Sequence, residues 1–445
     1  MAKTIELNSN KKSLKKRIIL FVIFFVVGVV GITLGVSSCV NNMQIKPGLE
    51  LIEPNQVVLP DKTTKTPFDN QIALHYYVKN TKKQTATDQY NSVTRAYNQI
   101  AYTTYLTHNA NYEFKDYISL AYINNHPNTE IQVSSFLFNS LKDAYNKTIS
   151  DNSKYNVFAG RIYDFWDGLF YSNTKNPDPA NSTVSYQNLT QIVNAIKYDQ
   201  SKYSLTFNEQ KQTVTYNLNL EDSSLFYKDK DEVKCLLKLD FNVLYEAYAI
   251  ETMANYLLEH NFTTGFFTSS YGYYLHLKDY WLNDTYATVS TNIYSIKENR
   301  NHNIASFTID GAIKGITYSN YYFSANDKTK YQITVEGTTY RRHKFFDASN
   351  GLPNSFVRYS KIYTNDSNKK LYDIGYENLY LINAKTKLEA DNFIKNRVSN
   401  SKVMYVLDNG KYDDSLDELF KLYYYNIDNL KTNEQFVDRV YQIND

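Results

Sequence analysis

Cysteine is almost missing from this chain: its 445 residues include two, Cys39 and Cys235. Cys39 directly follows an apolar run and Cys235 lies inside VKCLLKL, so no intrachain disulfide framework is available and Cys235 reads as a small buried hydrophobe. A chain this long needs no disulfides, because it can bury an adequate core. Glycine (14) and proline (8) are sparse, and the net charge is only +2. Residues 1–38 hold six Lys/Arg against Glu6, a charge of +5, so the remainder carries 2 − 5 = −3. So balanced a chain is not built for a phosphate backbone, which excludes nucleic acid as a partner. What is abundant is aromatic, with 43 Tyr and 24 Phe. Tyrosine fills half-buried positions in a chain rich in Lys, Asn and Ile, or else marks an adhesive or carbohydrate-binding surface.

The N-terminus reads as an address. Lys11, Lys12, Lys15, Lys16 and Arg17 precede an uncharged run from Ile18 to Val36, a basic region followed by an apolar one. The run ends in Val36-Ser37-Ser38-Cys39, which resembles a bacterial lipobox, where the cysteine sulfur receives a diacylglycerol. An uncleaved signal anchor is the alternative, since the run approaches the ~20 residues that span a bilayer. Both place the rest of the chain on the extracellular side of the cell membrane, because the basic residues stay cytoplasmic. Residues 1–38 are then the signal or anchor. Residues 39–67, with Pro47, Pro54, Pro60 and Pro67, are an extended tether. Residues 68–410 form the folded domain and 411–445 a polar C-terminal tail.

Within the domain the periodicity predicts strands at 69–79, 233–241, 263–278, 305–323, 330–347, 354–364 and 402–408, and a hairpin at 203–219. It predicts helices at 87–107, 134–150, 185–197, 243–260 and 386–397, the second capped by Ser134 or Ser135. Helices and strands mixed without strict alternation indicate an α+β fold.

Several segments also resemble, in order, those of the ApbE family of FAD:protein FMN transferases. YNVFAGRIYDFW (155–166) is similar to F-D-P-T-V-G-P-L-V-x-L-W, with Gly160, Ile162 and Trp166 at matching positions. FKDYISLAYIN (114–124) resembles S-x-L-x-x-L-N, and the segment from Leu239 to Gly272 runs in step with L-D-L-G-G-I-A-K-G-Y-A-V-D and the helix and strand after it. KFFDASNGLP (344–353) resembles H-I-I-D-P-x-T-G-x-P, and LYDIGYENLYLIN (371–383) the helix A-D-A-L-A-T-A-L-F-V-L-G. The resemblance implies an ApbE-like flavin transferase fold of mixed sheets and packed helices.

The activity it implies is Mg²⁺-dependent transfer of FMN from FAD to a threonine of an exported acceptor protein. Phosphoryl transfer of this kind depends on positioning and charge neutralisation, and Mg²⁺ prefers oxygen ligands. On the resemblance, Asp373 and Glu377 are the candidate metal ligands. Asp240, Asn242, Glu246 and Thr317 are the candidate cofactor-binding residues, and Asp347 and His343 the candidate catalytic ones. Helix capping by Asp373 and an Asx-turn at Asp347 are the structural alternatives. His343 stands one residue before the family's histidine position, which is Lys344 here; on a strand that offset turns it to the opposite face.

The departures fall on ligand-contacting positions. The family's G-G-x-x-K-G is Asn242-Val243-Leu244-Tyr245-Glu246-Ala247, which puts side chains where backbone would approach the cofactor and a carboxylate in place of an ammonium. The G-G-D turn is Ser270-Tyr271-Gly272-Tyr273, and Asn320 replaces an aspartate. A non-catalytic lipoprotein that binds another ligand or partner on the same fold is therefore a second reading, and an aromatic-rich adhesin a third. The transferase-fold reading expects Gly160, Asp240, Asp347 and Asp373 to surround one flavin-sized hollow.

Overall fold

The computed structural model describes residues 45–150, 154–229, 232–279, 286–295, 300–320, 330–407 and 420–443; the signal segment and Cys39 lie outside them. The chain divides into a small unit, residues 1–48 and 78–92, and a large one, residues 49–77 and 93–445. In the small unit, Thr85 and Asp88 form a reciprocal cap: Asp88 N donates to Thr85 Oγ1 (3.1 Å) and Thr85 N to Asp88 Oδ2 (3.2 Å). That satisfies donors otherwise orphaned where the helix α1 (Ala86–Thr107) begins.

The large unit is organised by a nine-stranded sheet whose strands lie side by side in chain order. They are β1 (Gly48–Ile52), β2 (Ile72–Val78), β3 (Gly265–Ser269), β4 (Tyr273–His276), β5 (Lys314–Ser319), β6 (Val357–Thr364), β7 (Lys402–Leu407), β8 (Phe420–Tyr425) and β9 (Val437–Gln442). Neighbours from β2 to β8 run antiparallel, and β8 and β9 run parallel. Residues 420–443 thus correct the expected polar tail, because β8 and β9 extend the sheet, with Leu422 fully buried. The alternation of Tyr, Leu and Val with Lys, Asp and Arg there is too short and too polar to stand out without its sheet neighbours.

Further helices are α2 (Leu120–Asn125), α3 (Ser135–Ser150), α4 (Gly160–Tyr171), α5 (Thr183–Ala195), α6 (Tyr245–Glu259), α7 (Leu371–Ile382) and α8 (Lys387–Arg397). The expected helices are present with small shifts of their ends, and Ser134 Oγ accepts from Leu137 N as the capping reading requires. The expected strand 233–241 is only Glu232–Cys235; beyond it the chain runs alongside residues 157–160, with Lys238 N on Phe158 O and Asp240 N on Val157 O.

Every residue of β6 is buried, so both faces of the sheet are covered there. One face carries α7, where Asn378 accepts from Ser360 Oγ at 2.6 Å. On the other, Tyr359, Tyr363, Met404, Val406 and Leu422 pack with Val289, Ile293, Ile304 and Phe307 of the long hairpin Tyr286–Ser295/Arg300–Asp310. The β3–β4 turn needs Gly272: its φ is +85°, and a Cβ would lie 1.9 Å from Thr317 O. Tyr97, Tyr155, Tyr203, Tyr216, Tyr248, Tyr273, Tyr318, Tyr359 and Tyr405 are among the largest fully buried side chains, so much of the tyrosine excess is core. Among the described residues no helix is long and apolar enough to cross a membrane.

Candidate functional site

Helix α4 presents Tyr163, Asp167 and Tyr171 at intervals of four, the spacing that stacks side chains on one helix face. This face, the chain before α6 and the end of α1 enclose a cavity of about 600 Å³. Asp240 and Asn242 reach it from the approach to α6, Lys344 from the segment after the hairpin Lys330–Val335/Thr338–His343, and His108 from just beyond α1. Lys344 is 4% exposed, pairs with the Asp167 carboxylate and has its ammonium 4.8 Å from the Tyr171 ring centre and 5.6 Å from that of Tyr163. Paired carboxylate and aromatic faces together offset much of the cost of burying that charge.

Asp240 Oδ1 accepts from Asn242 N at 2.7 Å, and Lys238 Nζ lies 3.9 Å from its other oxygen. Burial pushes its carboxyl up to about 6, against the pull of Lys238. Asn242 has φ +51°, a left-handed backbone at the position of the family's first glycine. Asparagine is among the few residues that adopt it readily. The Asn242 side chain donates to Asn156 O at 3.1 Å, but its Oδ1 is buried without a hydrogen-bond partner. Both ring nitrogens of His108 are likewise buried and unpartnered, and burial lowers its pKa to about 3, so the ring is neutral. Buried polar atoms in native proteins are nearly always satisfied, so these sealed, unpaired atoms beside the cavity are exceptions.

The other expected site residues lie elsewhere. Glu246 is fully buried and does not line this cavity: Oε1 accepts from Ser270 Oγ (2.7 Å) and Oε2 from Tyr271 N (2.9 Å). Its charge therefore serves the β3–β4 turn, which lacks the family's acid, and burial raises its pKa to about 7. Thr317 and His343 line a hollow of only about 20 Å³, also bordered by Lys344. Thr317 Oγ1 accepts from Lys361 Nζ at 2.8 Å. His343, expected on the opposite face of its strand from the family's histidine position, is 1% exposed: Nδ1 accepts from Phe345 N (3.2 Å), which leaves Nε2–H to donate to Asn354 O (2.7 Å). With both nitrogens engaged and its pKa lowered by burial to about 3, it has no lone pair free for a substrate proton.

Asp347 is 1% exposed, with Oδ2 on Lys154 Nζ (2.8 Å) and Oδ1 accepting from Ser349 N and Oγ, the Asx-turn geometry. Gly160 and Asp240 do meet, but Asp347 and Asp373 do not line the large cavity. Asp373 and Glu377 line a separate one of about 270 Å³. Burial, reinforced by the nearby charges of Asp143 and Asp240, pushes the Tyr155 phenol well above its ordinary pKa.

The residues around Asp373 do not fit a divalent cation. Asp373 Oδ2 accepts from Lys370 N (3.1 Å), the capping role, and Oδ1 from Lys147 Nζ (2.7 Å). Glu377 is paired with Lys369 Nζ at 2.7 Å. Among the described residues no group of three His, Cys, Asp or Glu could hold a metal.

Lys344, Asp167 and His108 were not singled out by the sequence. The i, i+4, i+8 spacing of Tyr163, Asp167 and Tyr171 and the place of Lys344 at the family's histidine position were signals for the first two. His108 gave none.

The fold has close counterparts among solved structures. It is similar to the ApbE protein of Thermotoga maritima (TM-score 0.53, 14% identity, 81% of this chain and 96% of that one). It is also similar to the flavin transferase ApbE of Vibrio cholerae (0.51, 12%, 84% and 97%) and to the apo form of the flavinyl transferase ApbE of Pseudomonas stutzeri (0.51, 9%, 82% and 93%). No protein-family model matches the chain, and no curated protein matches it.

Proposed function

We propose that this chain, which has the fold of the ApbE flavin transferases, is a membrane-held extracellular protein that binds a flavin or a similarly flat, polar-edged heteroaromatic, and that it works as a binding protein. The observation that carries this is the cavity beside α4: about 600 Å³, lined by Tyr105, Tyr112, Tyr163, Tyr171 and Tyr245, with Asp167, Asp240 and Lys344 among them. Its volume is within the range of small-molecule sites, which combine apolar walls with a few convergent polar groups. Cys39 is the lipid anchor in this reading, and the outer face of the membrane its location.

A second reading, Mg²⁺-dependent transfer of FMN from FAD to a threonine of an exported acceptor, is favoured by the fold likeness to flavin transferases. Against it stand the lysines on Asp373 and Glu377 and the saturated His343. One experiment separates the two: titrate the full chain with FAD and FMN, following flavin fluorescence, then incubate with FAD, Mg²⁺ and an acceptor protein and look for covalent flavin. Saturable binding without labelling is the expected result. Covalent labelling would establish transfer, and no binding at all would return the adhesin reading.

A further inference from the structure

Lys147 and Asp143 are one turn apart on α3, and Asp373 is in the first turn of α7. The three meet at one point. Lys147 Nζ lies 3.0 and 2.8 Å from the two oxygens of Asp143 and 2.7 Å from Asp373 Oδ1. The faces of Tyr372 and Tyr376 stand 4.9 and 5.7 Å from it, and the side chain is 11% exposed. Around the rim, Tyr248 OH donates to Asp143 Oδ2 at 2.6 Å.

We infer that the ammonium of Lys147 is a built-in counter-ion, held where Asp143 and Asp373 would otherwise need a bound divalent cation, and that it makes this protein independent of metal there. The oxygens stand at charge-assisted hydrogen-bond distance, whereas Mg²⁺ draws its ligands to roughly 2.0–2.1 Å and demands a near-octahedral oxygen shell. Here two directions are taken by π faces, which stabilise an ammonium, whereas a dication between the same carboxylates would have to complete its shell with water. Two carboxylates at hydrogen-bond distance and two ring faces are surroundings that favour a charged ammonium. Removing Lys147 would leave two carboxylates against each other without a cation, the arrangement that recruits one.

The inference uses none of the residues that line the large cavity, so it stands or falls apart from flavin binding. The test is a Mn²⁺ titration of the full chain followed by electron paramagnetic resonance, together with thermal melts in Mg²⁺, Mn²⁺ or EDTA. The native chain is expected to hold no stoichiometric Mn²⁺ and to melt at one temperature in all three. Lys147→Met is expected to melt lower in EDTA and to recover as Mn²⁺ is added, with one ion bound per chain. One Mn²⁺ bound by the native chain and lost in Asp373→Asn would overturn the inference. So would a Lys147→Met protein as stable as the native one and blind to metal. If Lys147→Met does not fold, the native titration decides alone.

Discussion

A Cβ placed on Gly160 would lie 2.8 Å from Cβ of Asp240 and 2.8 Å from Lys238 O. The first turn of α4 therefore lies against the irregular segment that delivers Asp240 to the cavity, and the missing side chain is what allows it. Gly168, two turns later on the same helix, has nothing within 4 Å of its would-be Cβ.

The two glycines make opposite predictions. Gly160→Ala forces backbone apart and is expected to cost about 1–3 kcal/mol and to weaken FAD binding by displacing Asp240. Gly168→Ala is expected to stabilise by up to about 1 kcal/mol, because alanine loses less entropy in a helix. Urea unfolding of both variants checks this; equal effects would show that the contact at Gly160 relaxes freely.

His108 should trade stability against binding. His108→Phe replaces a neutral ring having two unpaired buried nitrogens, and an unsatisfied buried polar group costs about 1–3 kcal/mol. The variant is expected to melt higher and to bind flavin more weakly. A His108→Phe protein that binds as tightly as the native one removes His108 from the site.

The pair Lys154–Asp347 should behave as structure. Lys154→Met leaves a carboxylate buried without its cation, with an expected loss of about 3–5 kcal/mol. Replacing both, as Lys154→Met with Asp347→Asn, should recover much of it. Equal stability losses in the single and double variants, measured by denaturant unfolding, would show that the pair is not coupled.

Glu377 predicts a pH dependence. Burial, opposed by Lys369, raises its pKa from 4.5 to about 7. The folded chain then binds its proton more tightly than the unfolded chain, so this part of the stability is full below pH 4.5 and is lost as the pH rises toward 7. Glu377→Gln keeps an acceptor for Lys369 and cannot ionise. It is expected to match the native protein at pH 4 and to exceed it at pH 8 by up to about 3 kcal/mol. Parallel stability curves between those pH values would refute the shift.

Much of the fold was legible because its signals are local. The alternation in 203–219, the Ser134 cap and the periodicity of the helix at 87–107 depend only on neighbours along the chain, and each element formed where it was expected. Strands β8 and β9 were not legible, since a short strand owes its stability to the strand beside it. The site was legible only in part. Asp240 and Asn242 line the large cavity. Asp347 and Asp373 do not, because which cation reaches a carboxylate depends on side chains 193 and 226 residues away in sequence.

By itself the sequence determined the mixed α and β elements, the likeness to ApbE segments in their order, and the positions at which it departs from their motifs. It carries these because periodicity, capping and motif order are properties of short stretches of chain. Tertiary structure decided what each acid does: Glu246 holds a turn, Asp347 accepts from Lys154, and Asp373 accepts from Lys147. A carboxylate's role depends on which groups surround it and how far water is excluded, and folding alone brings those groups together.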